Sequence, residues 1–181
     1  MDKKTDIKEK SIGKIILVTG GQRSGKSLFA EQLSLRLSSN PVYIATATIH
    51  DDEMKNRVGK HRERRGPQWR NLELPLKVSS ADISKDDVVL LDCLTLLATN
   101  WFFELREDSE AALAKVKQEL KSLFEKGATI ITVTNEIGMG GVSPNKLQRL
   151  FTDLQGSVNQ FVANLSNEAY LLVSGIPVKI K

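Results

Sequence analysis

The sequence predicts an α/β fold: a mostly parallel sheet with helices on both faces. Two observations predict it. Short β-branched runs alternate with amphipathic helical stripes, and the first run ends in glycines that lead straight into a helix. Strands separated by helices need crossover connections, and a sheet built from such units is covered on both sides.

Taken in order, residues 14–20 (KIILVTG) read as a buried strand. Residues 27–39 place Phe29, Leu33 and Leu37 four apart, a helical stripe. Residues 41–47 (PVYIATA) are a second strand opened by Pro41. Residues 51–65 are expected to be a helix, with Asp51, Asp52 and Glu53 in its first turn and a basic run later, as a helix dipole favours. Residues 72–78 (LELPLKV) alternate but contain Pro75, so they suit only an edge strand. Residues 87–93 (DVVLLDC) repeat the buried-strand pattern, and residues 112–124 form a stripe through Leu113, Val116, Leu120 and Phe124. Residues 129–135 (TIITVTN) are another strand, followed by the glycine-rich IGMGG. A long helix is expected from about Ser143, with Pro144 in its first turn. Residues 169–175 and 178–181 supply the last extended segments.

The totals narrow the function. At 181 residues the chain suits one domain over residues 14–181, preceded by a charged, mobile extension over residues 1–13. It shows neither an apolar run long enough to span a bilayer nor a signal-peptide core, so a cytoplasmic protein is expected. The one cysteine, Cys93, excludes an internal disulfide and a cysteine-rich metal site, and beside an apolar run it reads as inert core. A net charge of +4 is too small to mark the domain as a nucleic-acid binder.

The first glycine turn carries chemistry. Gly20, Gly21, Gln22, Arg23, Ser24, Gly25, Lys26 and Ser27 fit G-x-x-x-x-G-K-[ST], with a strand before and a helix after. Such a loop turns backbone N–H groups toward phosphate oxygens at a helix N-terminus. Lys26 is placed to reach the β- and γ-phosphates, and the Ser27 hydroxyl to hold Mg²⁺. Asp92, closing an apolar strand, is the expected second Mg²⁺ ligand. The guanine-reading pattern N-K-x-D is missing, because Asn145-Lys146 is followed by Leu147 and Gln148. The sequence therefore does not point to a switch GTPase, and any GTP used has its guanine read by other groups.

His61 stands among Lys55, Arg57, Lys60, Arg62, Arg64 and Arg65. Met54, Val58 and His61 share a helical face, which suits a half-buried structural histidine. The same residue could be a nitrogen nucleophile, kept neutral by flanking guanidiniums that also hold a polyphosphate. A nucleic-acid patch would want interleaved aromatics, and only Trp69 is near. The residues alone leave the structural and catalytic readings open.

Five stretches are more specific: VTGGQRSGKS, YIATATIHDDEMKNRVGKHRERRGPQW, LLDCLT, VTNEIGMGGVSPNKLQR and VSGIPVKIK. In that order the chain resembles the bifunctional adenosylcobinamide kinase / adenosylcobinamide-phosphate guanylyltransferase family of cobalamin biosynthesis. The resemblance implies a P-loop NTPase with a RecA-like sheet, assembling as a homotrimer. It implies that the protein phosphorylates adenosylcobinamide with a nucleoside triphosphate, ATP or GTP, with Mg²⁺. GMP then passes from GTP through a GMP-histidine to adenosylcobinamide phosphate, giving adenosylcobinamide-GDP and pyrophosphate. By position His61 is the nucleophile, and His50 does not match. Nucleotide contacts are implied for residues 20–27, for Thr46, Ala47 and Thr48, for Arg62, Glu63, Arg64 and Arg65, and for Glu73 and Asp92. The alternatives are a single-activity P-loop kinase and a P-loop nucleic-acid-binding protein.

Overall fold

The computed structural model describes residues 12–48, 59 and 65–181. It contains seven strands: β1 (Ile15–Gly20), β2 (Val42–Ala45), β3 (Arg70–Glu73), β4 (Val88–Asp92), β5 (Thr129–Val133), β6 (Glu168–Val173) and β7 (Ile176–Lys179). They form one sheet in the order β3-β2-β4-β5-β1-β6-β7. Every neighbouring pair is parallel except the β6–β7 hairpin at the edge.

Alternation along β1 builds both cores. Ile16 and Val18 pack with Ala30 of α1 (Lys26–Leu37), Tyr43, Leu90, Ile131 and Val133. Ile15 and Leu17 face the other way, against Ile44, Val89, Leu91 and Ile130. That second face is covered by α2 (Leu94–Glu104), α3 (Ser109–Phe124) and α4 (Lys146–Leu165). Each large aliphatic side chain so buried contributes about 1.5–3 kcal/mol relative to exposure. The expected fold class is the one observed.

Among the described residues, three elements shift by three residues or more at one end, and one helix is absent from the sequence reading. The segment read as residues 72–78 pairs with β2 only over Arg70–Glu73, where Val42 to Ala45 supply the ladder. It is an edge strand, but Pro75 lacks the N–H to extend it. The helix α2 has no counterpart in the sequence reading, because LTLLATNWFFE is too uniformly apolar to show a stripe. The helix α3 begins three residues before Ala112, where the Asp108 carboxylate accepts the N–H groups of Glu110 (3.1 Å) and Ala111 (2.9 Å). The helix α4 starts after Asn145, whose side chain caps Gln148 N–H at 3.2 Å, so Pro144 lies outside the helix. Of the helix expected over residues 51–65, only Gly59 and Arg65 fall among the described residues.

Candidate active site

The phosphate loop sits at the carboxyl end of β1, inside a row of parallel strands that all end on the same side. That edge is where open α/β sheets bind ligands. Two glycines are sterically required. Gly20 has φ +151°, and a Cβ there would lie 2.5 Å from the Leu172 carbonyl oxygen and 2.8 Å from Ser24 Oγ. Gly25 has φ +94°, and its Cβ would lie 3.2 Å from the Gly175 Cα. The turn between β6 and β7 closes on the loop from outside, with Gly175 N–H donating to the Ser24 carbonyl at 2.9 Å.

Lys26 opens α1 and is buried. Its ammonium donates to the Gly21 carbonyl and, at 3.4 Å, to Ser24 Oγ. Burial lowers its pKa from the usual 10.5, while Cys93 and Asp92 act in the opposite direction. Phosphate oxygens arriving in the loop would replace these neutral acceptors with charged ones, which bind an ammonium more strongly.

Asp92 ends β4, one strand beyond β5. Its Oδ2 accepts the Tyr43 hydroxyl at 2.9 Å. Tyr43 is buried, and its phenol pKa is raised first by burial and then by the Asp92 charge. The Arg65 guanidinium lies 3.3 Å above the centroid of the same ring. Its Nε and Nη1 are buried without a hydrogen-bond partner among the described residues. An unsatisfied buried donor costs about 1–3 kcal/mol, so these two N–H groups are poised for an anion. Arg65, Tyr43 and Asp92 therefore form a column from the guanidinium to the strand-end acid.

The remaining predicted residues divide. Thr46 is buried, and its hydroxyl donates to the Cys93 carbonyl and accepts the Cys93 N–H, both at 2.8 Å. It shapes the end of β4, since its side-chain oxygen is already occupied. Thr48 Oγ1 meets Asn100 Oδ1 at 3.3 Å, and Asn100 Nδ2 donates to the Thr46 carbonyl (2.8 Å) and the Pro75 carbonyl (2.7 Å). The helix α2 thus pins the backbone that carries Thr46, Ala47 and Thr48. Glu73 ends β3 and pairs with Ala45, which pairs with Asp92 on its other side. The two acids therefore lie two strands apart, about 10 Å across the ladder. His50, His61, Arg62, Glu63 and Arg64 lie outside the described residues.

Ser27 and Asp92 offer hard oxygen donors, the chemistry Mg²⁺ selects. Among the described residues no group of three or more His, Cys, Asp or Glu side chains could hold a metal by itself. The residues present fit Mg²⁺. Tyr43 and Asn100 were missed in the sequence. Tyr43 reads as core within VYIA, and its partner Asp92 is 49 positions away.

A profile described as "Cobinamide kinase / cobinamide phosphate guanyltransferase" matches residues 16–180. The chain belongs to this family. It is 43% identical to the bifunctional adenosylcobalamin biosynthesis protein CobU of Escherichia coli (strain K12), over 92% of this chain and 99% of that one. The protein of the same name from Salmonella typhimurium is 41% identical over the same shares. The bifunctional adenosylcobalamin biosynthesis protein CobP of Pseudomonas aeruginosa is 37% identical, over 91% of this chain and 96% of that one. The range matched by this cobinamide kinase / guanyltransferase family includes the P-loop, the Asp92 strand and the β6–β7 hairpin.

Proposed function

We propose that residues 14–181 form one cytoplasmic transferase domain that performs both reactions of its family. The observation that carries this reading is the family match from residue 16 to residue 180, over a P-loop with Lys26 buried in place. In the first reaction adenosylcobinamide is phosphorylated by a nucleoside triphosphate. Its hydroxyl attacks the γ-phosphorus in line, and Lys26 stabilises charge on the β- and γ-phosphates. Ser27 and Asp92 would hold Mg²⁺, which when bound neutralises phosphate charge.

In the second reaction His61 attacks the α-phosphorus of GTP, and pyrophosphate leaves. A P–N bond joins GMP to the imidazole until the phosphate of adenosylcobinamide phosphate displaces it, giving adenosylcobinamide-GDP. Splitting the transfer suits an acceptor that is a poor nucleophile toward an anionic triphosphate. Arg65, with two buried N–H groups that lack partners among the described residues, is suited to receive phosphate oxygens in this step. Arg62, Glu63 and Arg64, with Thr46, Ala47, Thr48 and Glu73, complete the proposed nucleotide contacts.

The working unit is proposed to be a homotrimer. Val173, Ile176, Val178 and Ile180 are all exposed along the β6–β7 edge hairpin, an apolar edge that suits burial against another copy. The reading is tested by incubating the protein with adenosylcobinamide, ATP, GTP and Mg²⁺. Adenosylcobinamide phosphate, adenosylcobinamide-GDP and pyrophosphate are expected; a chain that yields only the phosphate is a kinase alone.

A further inference from the structure

The T-N-E segment after β5 takes no part in the phosphate site described above, yet it lies against it. The backbone N–H of Glu136 donates to the Gly20 carbonyl at 3.1 Å, extending the β1–β5 ladder to the first residue of the P-loop. The preceding Asn135 N–H donates to Thr95 Oγ1 at 3.0 Å, which ties the same segment to α2. Glu136 Oε1 accepts the Thr19 hydroxyl at 2.7 Å and the Asn159 amide at 3.2 Å.

The support beneath it is buried and polar. Asn159 Oδ1 accepts the Thr134 hydroxyl (2.7 Å) and Gln155 Nε2 (2.8 Å), and Asn159 Nδ2 also donates to the Asn135 carbonyl (3.1 Å). Thr134, Gln155 and Asn159 are all buried. A network of this kind fixes the side chain it carries, because an unmet buried polar group is costly. It fixes only one oxygen of Glu136. Oε2 has no hydrogen bond, and the carboxylate has no ion pair, among the described residues.

A carboxylate held rigidly beside a triphosphate loop, with one oxygen anchored and the other without a partner among the described residues, is not placed there to attract the nucleotide. Its placement makes sense for a group that accepts a proton. We infer that Glu136 is the catalytic base of the kinase step, its Oε2 receiving the hydrogen bond of the acceptor alcohol. This rests on the kinase activity proposed above. The acceptor O–H bond breaks and its proton moves to Oε2, while the oxygen forms its bond to the γ-phosphorus. The bond from the γ-phosphorus to the bridging oxygen breaks, and that electron pair leaves with the nucleoside diphosphate. The loop that Glu136 opens also suits a large amphiphilic alcohol. Met139 and Val142 are exposed, and Met139 borders a pocket of about 310 Å³ shared with P-loop residues Gly21 to Ser24.

Two substitutions separate a base from a scaffold. Glu136→Gln keeps an oxygen for Thr19 and Asn159 and loses only the proton acceptor. Glu136→Asp keeps the carboxylate and shortens its reach. Wild type and both variants are assayed for adenosylcobinamide phosphorylation, for ATP affinity by equilibrium binding, and for retention of label from α-labelled GTP. The base predicts a kinase kcat about 100-fold lower in E136Q, with E136D the more active of the two. ATP affinity and label retention should stay within threefold of wild type. The reverse order, with E136Q near wild type and E136D impaired, overturns the inference, as does parallel loss of both reactions. If wild type forms no adenosylcobinamide phosphate, the functional reading falls too; if only the variants fail to differ from it, that reading stands.

Discussion

At the scale of single residues, charge and solvent exposure set what each group can do. Lys26 is the buried cation of the P-loop, already bonded to Gly21 and Ser24 of its own loop. Lys26→Ala is expected to lower kinase kcat about a hundredfold or more while the melting curve is unchanged, since one preorganised charge contact is lost. Steady-state assays check this, and near wild-type turnover contradicts it. Cys93 has the opposite character. Burial pushes its thiol up to about 12, and its Sγ caps α2 by accepting Leu96 N–H at 3.5 Å. It agrees with the inert reading, and slow alkylation at pH 8 in the folded protein is the expected result. Glu168 supplies a pH test of the fold. Hydrogen bonds from Lys14, Tyr170 and Lys179 lower its pKa from the usual 4.5 to about 2. The unfolded chain therefore binds the extra proton first as pH falls, and the stabilisation, complete above about 4.5, is lost on the way down to about 2. In Glu168→Gln, denaturant midpoints should fall less between pH 5 and pH 3 than in wild type, roughly a loss confined to one carboxyl. Equal slopes would show that the cluster adds nothing.

At the scale of elements, the phosphate loop was the most legible part of the chain, because its steric demands are local. Gly25→Ala places a side chain at φ +94° and against the Gly175 backbone. A loss of about 1–2 kcal/mol is expected from the conformation. Calorimetry should show Tm lower by roughly 2–8 °C, with weaker nucleotide binding; an unchanged curve would mean that the loop relaxes freely. Elements that depend on distant partners were less legible. In residues 72–78 the alternation correctly marks Leu72, Leu74 and Leu76 as packing against the core, yet only Arg70 to Glu73 find a ladder. Alternation reports burial, and pairing requires a neighbour. The helix α2 hid because its apolar residues are nearly continuous, although Asn100 and Trp101 within it hold the backbone at Thr46, Pro75 and Leu76. The Tyr43–Asp92 contact and the Glu136–Asn159 contact join segments that no local pattern links.

For the whole molecule, the sheet order brings the P-loop, Asp92, Glu73 and the Glu136 loop to one carboxyl-end edge. No helix among the described residues is long and apolar enough to cross a membrane. Light scattering at micromolar concentration should return about three times the 20.1 kDa chain mass, as the exposed β6–β7 edge leads us to expect; a monomer at every concentration would contradict the trimer. The protein is proposed to carry both a phosphoryl transfer and a covalent guanylyl transfer on His61. The direct measurement is incubation with GTP labelled at the α-phosphate, followed by denaturation and by acid and alkali treatment. Wild type should retain acid-labile, alkali-stable label, the behaviour of a P–N bond, and His61→Asn should retain none while still phosphorylating adenosylcobinamide. Label that persists in His61→Asn, or wild type that is never labelled while phosphorylation proceeds, would contradict a covalent guanylyl step at His61.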